Sequence, residues 1–169
     1  MFRFLPETAS DYQEVEYLYD SCFAPGRQAL SSYRLRAGPP VADLSRLVRD
    51  EYDAVVGAIR YWPVRAGGQG ALLLGPVAVH STRQGEGLGG LLIRDTLERA
   101  RDAGWSRVIL VGDAPYYSRF GFQRSLATAL EYPPPTNPDR LLALELHPGA
   151  MAALAGMVEP WGDHPMTPE

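Results

Sequence analysis

Ala71–Ile93 reads ALLLGPVAVHSTRQGEGLGGLLI. An apolar run interrupted at Gly75 and Pro76 gives way to a polar loop, and the loop's glycines open into a second apolar stretch. The first part predicts a buried strand with a bulge where the glycine and a residue without an amide hydrogen fall. From about Gly87 to Ala103, Leu88, Leu91, Leu92, Leu97 and Ala100 recur at helical spacing, and Gly104 fits the position just past the C-terminus. Arg94 with Glu98, and Asp95 with Arg99, are four apart and can pair on the wet side of this helix. RVILV at 107–111 reads as a buried parallel strand, so strand, helix and strand form one βαβ unit.

Working outward, FRFL predicts a first strand, and Ser10 or Asp11 an N-cap for a helix to about Phe23. Val15, Leu18, Tyr19 and Cys22 share one face of that helix, and Pro25 and Gly26 end it. The stretch from Gly26 to Pro40 reads as irregular or partly helical. A hairpin follows, with strands near 44–49 and 54–62 about a turn at Asp50 to Asp53, and GGQG makes the next turn. Beyond RVILV the sequence predicts a short helical turn in DAPYYSRF, strands near 122–127 and 141–146, and a YPPPTNP loop between them. The tail from Gly156 reads as irregular.

A chain of 169 residues fits one domain, taken as 1–169. No stretch approaches the length and apolarity of a membrane span, so no membrane partner is expected. The start lacks a basic region followed by an apolar core and reads as mature protein. With one cysteine, Cys22, no intramolecular disulfide can form, which favours a reducing, cytoplasmic setting. The formal net charge of -4 argues against nucleic acid as a partner. Every basic side chain apart from histidine is arginine, a residue suited to forked contacts with carboxylate or phosphate.

The loop Arg83–Gly90 places free backbone amides at the start of a helix, where the dipole adds partial positive charge and makes an anion site. Glycines at 85, 87 and 89 let a pyrophosphate approach the main chain. Gly85, Gly87 and Gly90 match GxGxxG, with Asp113 as a ribose ligand, which is the dinucleotide-binding reading. Against it, HSTRQ separates the strand from the first glycine and only one parallel unit is predicted. Gln84, Gly87 and Gly89 also match QxxGxG after a strand.

With YYSRFGF one helix and one strand later, the segment from about Leu72 to Phe122 resembles the GNAT superfamily of N-acetyltransferases, and LLGPVAV with LVGDAPYYSRFGF looks most like a bacterial subgroup of predicted acetyltransferases. That resemblance implies an α/β fold in which a mixed central sheet with splayed parallel strands is flanked by helices. It implies acetyl-CoA as the acetyl donor, its pantetheine arm pairing with the backbone of Val77, Ala78 and Val79 and its pyrophosphate on Gln84, Gly85, Glu86, Gly87, Leu88, Gly89 and Gly90. Tyr117 matches the family's acid for the leaving thiolate, and Tyr116 rivals it one residue away. No metal is implied.

The general base is open: the strand before the loop has no carboxylate, His80 reads as structural, and Glu51, Asp53, Glu131, a water relay or an already neutral amine remain. A module that only binds acetyl-CoA is the second reading. For the acceptor, Arg27, Arg34, Arg36, Arg46 and Arg49 suggest a small primary amine bearing an anionic group, rather than a basic protein tail. The oligomeric state is open, a homodimer included.

Overall fold

Gly75 and Pro76 fall where a strand leaves its neighbour, and the architecture is arranged around that departure. In the computed structural model, which describes residues 1–23 and 31–162, the elements are β1 (Arg3–Pro6), α1 (Tyr12–Cys22), β2 (Arg46–Arg49), β3 (Val55–Ala66), β4 (Gln69–Val79), α2 (Leu88–Asp102), β5 (Arg107–Val111), α3 (Ala114–Tyr117), β6 (Leu130–Glu131), β7 (Leu141–Glu145), β8 (Gly156–Met157) and β9 (Glu159–Pro160). The main sheet runs β1-β2-β3-β4-β5-β7, with β9 alongside β3. Within it β4 and β5 alone are parallel. The expected mixed α/β architecture is present.

α1 and α2 lie on opposite faces. Val15, Leu18 and Tyr19 pack with Leu47, Ala58 and Ala78. Leu88, Leu92, Ile93 and Leu97 pack with Val48, Ile59, Tyr61 and Leu72. The period-2 alternation of the strands sends adjacent residues to these two cores. α2 ends in a Schellman motif: Gly104 at φ 98° lets its own N–H reach Arg101 O and that of Trp105 reach Ala100 O, both at 3.0 Å. Asp95 and Arg99 pair at 2.9 Å as predicted, while Arg94 lies over the Phe120 ring, 4.9 Å from its centre.

β4 pairs with β5 at Leu72↔Val108 and Leu73↔Ile109 and then leaves it. On its other edge β4 stays with β3, but Ile59 faces Val77 while Tyr61 faces Leu74, so three residues of β4 answer two of β3. Gly75, at φ 122° and joined to Pro76 by a cis peptide, sits in this bulge. The predicted bulge and the splay therefore coincide.

Three expectations need correction, the first being the tail from Gly156: expected to be irregular, it pairs as β8 with β6 and as β9 with β3 and buries Val158 and Trp161. β3 continues through Pro63, which lies between the end of β2 pairing at Ile59 and the start of β9 pairing at Val64, where a missing amide hydrogen breaks no ladder bond. The strand expected at 122–127 is a single bridge, Gln123↔Ala143, followed by a 3-10 turn at Arg124–Ala127 that buries Ala127. Asp11, one of the two residues expected at the N-cap of α1, takes that position but makes no side-chain cap bond there; its carboxylate turns back onto the Thr8 N–H at 2.8 Å, closing a capping box headed by Thr8. Pro25, Gly26 and Arg27 lie outside the described residues.

Candidate active site

The loop after β4 bends through a 3-10 turn at Ser81–Arg83, where His80 Nδ1 accepts the Thr82 N–H at 3.2 Å. His80 is thus structural, as its position at the loop's start suggested. Gly85 and Gly87 take φ values of 88° and 82°, and nothing stands within 4 Å of a β-carbon placed on either. These glycines are required by backbone conformation, not by crowding. Gly87 caps α2 without a side-chain bond, and the first intrahelical bond runs from Leu91 N–H to Gly87 O. The amides of Leu88, Gly89 and Gly90 are left to face outward.

Those amides border a cavity of about 540 Å³ with Val77, Val79 and Tyr117 on its wall. His80 N–H donates to Val56 O, in register with Ala78↔Ala58. By antiparallel alternation Ala78 turns its backbone groups to β3, and Val77 and Val79 turn theirs into the splay. Val79 O already accepts from Gln84 Nε2 at 3.3 Å and from Cys22 Sγ at 3.4 Å. Gln84 thereby clips the loop back onto β4. Nine of the ten expected cofactor residues line this cavity; Glu86 is exposed at the apex of the loop and does not.

Tyr116 and Tyr117 meet edge to face, and both border this cavity and a second one of about 530 Å³ that continues through the splay. Their surroundings differ. A β-carbon on Gly89 would come within 3.2 Å of the Tyr116 hydroxyl, which places Tyr116 at the helix start. Tyr117 lies on Gly112, where a β-carbon would stand 2.6 Å from ring carbon Cε2. Burial pushes the Tyr117 phenol up to about 12, with Tyr116 adding to the shift and Arg140 and Arg36 opposing it. The phenol therefore stays protonated and can donate.

Several expected residues do not converge. Glu51 and Asp50 hold Arg83 at 2.8 and 3.1 Å, Asp53 pairs with Arg3, and none of these carboxylates borders the splay. Glu131, on β6, lines a separate cavity with Tyr132 and Pro138. The arginine group also disperses: Arg49 is tied to Asp11 and Glu14, Arg34 donates to Pro134 O at 2.9 Å, and Arg46 faces Asp95 and Arg99. Arg36 alone of the described members reaches the splay.

Four residues enter the site unforeseen. Gly112 seats Tyr117. Arg119 lies over the Tyr116 ring at 4.7 Å and, with Arg94, flanks the helix start. Arg140 joins Arg36 and Asp113 in the splay cavity. The SRFGF spacing was the signal available for Arg119; nothing local marks Gly112 or Arg140, which chain reversal brings in through the Gly112 N–H to Arg140 O bond at 2.8 Å.

Residues 44–124 match the family model described as an acetyltransferase (GNAT) domain. The chain is 28% identical over 118 residues to a protein described as the uncharacterized N-acetyltransferase YhbS of Escherichia coli K12, covering 69% of this chain and 71% of that one. A crystal structure of E. coli YhbS in complex with CoA superposes with a TM-score of 0.81 at 24% identity, over 94% of this chain and 89% of that one. A GNAT family acetyltransferase from Brucella melitensis in complex with acetyl-CoA gives 0.65 at 29% identity, over 88% and 90%. The dinucleotide reading falls with these matches, and with a main sheet that has one parallel pair where that fold needs a βαβαβ series.

Proposed function

The chain belongs to the GNAT family of N-acetyltransferases, and from that premise we propose that it transfers the acetyl group of acetyl-CoA directly to a small primary amine bearing an anionic group. The observation that carries the reading is the alignment, in one continuous splay, of a β4 edge without a strand partner, free amides at the start of α2 and a half-buried protonated phenol. An extended amide-containing arm fits the groups of Val77 and Val79 as an added strand fits an open edge. Phosphate oxygens fit the amides of Leu88, Gly89 and Gly90, with Arg94 and Arg119 beside them.

Acetyl-CoA supplies the thioester, whose carbonyl carbon bonds to the acceptor nitrogen as the C–S bond breaks. Tyr117 Oη gives its proton to the departing sulfur and recovers one from solvent. The acceptor's ammonium loses one proton to water before it attacks and the nitrogen loses a second once the C–N bond has formed, so that, with one proton returned to Tyr117, amide and free thiol are formed with net release of one proton. Tyr116 holds the helix-start side of the cavity and does not serve as the acid.

The test is a thermal scan. CoA or acetyl-CoA at about 100 times Kd stabilises by about 2.7 kcal/mol, a melting rise of roughly 5 to 10 °C for this size. NAD and NADP give none. A rise with NAD and none with CoA would overturn the reading, and CoA binding without acetyl transfer to any amine would reduce the protein to a binding module.

A further inference from the structure

On the α1 face a third cavity, about 730 Å³, meets the splay cavity at Tyr33, Arg36 and Pro76. Its walls include Tyr12, Tyr33, Pro39, Pro40 and Trp62. Beside them Arg60 donates to both oxygens of Glu7, at 3.0 and 2.8 Å, and to one of Glu16 at 2.7 Å. Glu7 and Glu16 thereby bring carboxylates to this end of the cavity.

Where this cavity joins the splay the charges reverse. Arg36 is stacked on Tyr33 at 4.3 Å, and its Nη2 lies 3.1 Å from where a β-carbon of Gly75 would be, flat against the bulge. Arg140 and Asp113 border the same space as Tyr117. No Asp113–Arg140 ion pair forms among the described residues, and both border the cavity. Two cations and one carboxylate, at the point where the nitrogen must attack, match a carboxylate and an ammonium held one carbon apart.

We propose that the acceptor is a free α-amino acid with an aromatic side chain, its carboxylate on Arg36 and Arg140, its ammonium directed by Asp113, and its ring between Tyr12, Tyr33 and Trp62. This rests on the acetyl-transfer reading, and the amino group of the amino acid is the nitrogen of that step.

The experiment measures thiol release from acetyl-CoA with L-phenylalanine, L-tryptophan, phenethylamine, L-glutamate and spermidine, with CoA thermal shifts on the same samples. The aromatic amino acids should give the highest kcat/KM. Phenethylamine, lacking the carboxylate, should fall about 10- to 100-fold lower, the range of one charge-assisted contact. Arg36→Ala should raise KM for L-phenylalanine by a similar factor and leave phenethylamine within about threefold, with Arg36→Lys partly restoring it. Should Arg36→Ala fail to fold, Arg140→Ala, at an exposed position, should show the same split. Preference for spermidine, L-glutamate or phenethylamine, or no turnover of amino acids by a protein that CoA stabilises, overturns this inference and leaves the donor assignment standing. Absence of any CoA stabilisation overturns both.

Discussion

At the scale of single residues the site turns on what holds one phenol. Tyr117→Phe keeps the ring on Gly112 and removes only the hydroxyl that donates the proton, so turnover should fall about 10²- to 10⁴-fold with little change in CoA affinity. Tyr116→Phe should be milder. Because burial holds the Tyr117 phenol near 12, its ionisation should put no alkaline limb near pH 10 into the kcat profile, where an exposed tyrosine would. A fall centred at pH 10 that Tyr117→Phe abolishes would contradict this. Gly112→Ala attacks the same group from below. With ring carbon Cε2 2.6 Å from the new methyl, the ring must move, so kcat should drop at least about tenfold while CoA still binds. Overpacking should also cost about 1 to 3 kcal/mol, relieved in Gly112→Ala/Tyr117→Ala, where the opposing ring is gone. A Gly112→Ala cost as large in the Tyr117→Ala background as in wild type would show that the contact does not matter.

At the scale of elements, the start of α2 tests why glycine occupies the loop. A β-carbon on Gly87 meets nothing, yet φ 82° is strained for any L side chain. Gly87→Ala should therefore lose about 1 to 2 kcal/mol, a melting drop of roughly 2 to 8 °C, and weaken CoA by tilting the three free amides. Equal melting temperatures for Gly87→Ala and wild type would rule this out. This element was legible in the sequence because its signals are local: the apolar stripe of α2, Gly104 past its end, the glycines before it, and the bulge at Gly75 and Pro76. Other features were not local. Whether Pro63 ends a strand depends on which neighbours flank β3, and whether residues 122–127 form a strand depends on how long β7 runs beside them. Arg34, Arg46 and Arg49 read as a group in sequence, but Arg34 turns to the carbonyl of Pro134 while alternation along β2 and separate carboxylates part Arg46 from Arg49. Gly112 and Arg140 could be joined only by the antiparallel return of β7 to β5.

Over the whole molecule, two carboxylate sites far apart in sequence tie the sheet's edge to the start of α1 and to the loop that borders the cavity at the start of α2. Asp11 is held below the usual carboxylate range first by the Thr8 N–H and then by Arg49, which locks the start of α1 onto β2. Burial works against the charge of Asp50, but the N–H groups of Ala54 and Tyr52 and the Arg83 guanidinium outweigh it and lower its value. Arg83 likewise lowers Glu51, so the turn between β2 and β3 is pinned to the loop that leads to Gly85. In each case the folded form holds its proton less tightly than the unfolded chain, so between the two values the unfolded state binds more protons and stability rises with pH. The stabilisation from these groups is complete above about pH 5 and is lost as acid is added below about pH 4. Melting temperature should thus be insensitive to them between about pH 6 and 8 and should fall on the acid side. Asp50→Asn keeps the shape but not the charge, and its amide answers Arg83 less well. It should melt lower than wild type at pH 7, and the gap should narrow as the pH falls below about 4, where the carboxylate of the unfolded wild-type chain takes up its proton. A gap that stays constant below that pH would mean that Asp50 acts through shape alone and that the ion pairs with Arg83 add nothing to the cohesion of the cavity wall.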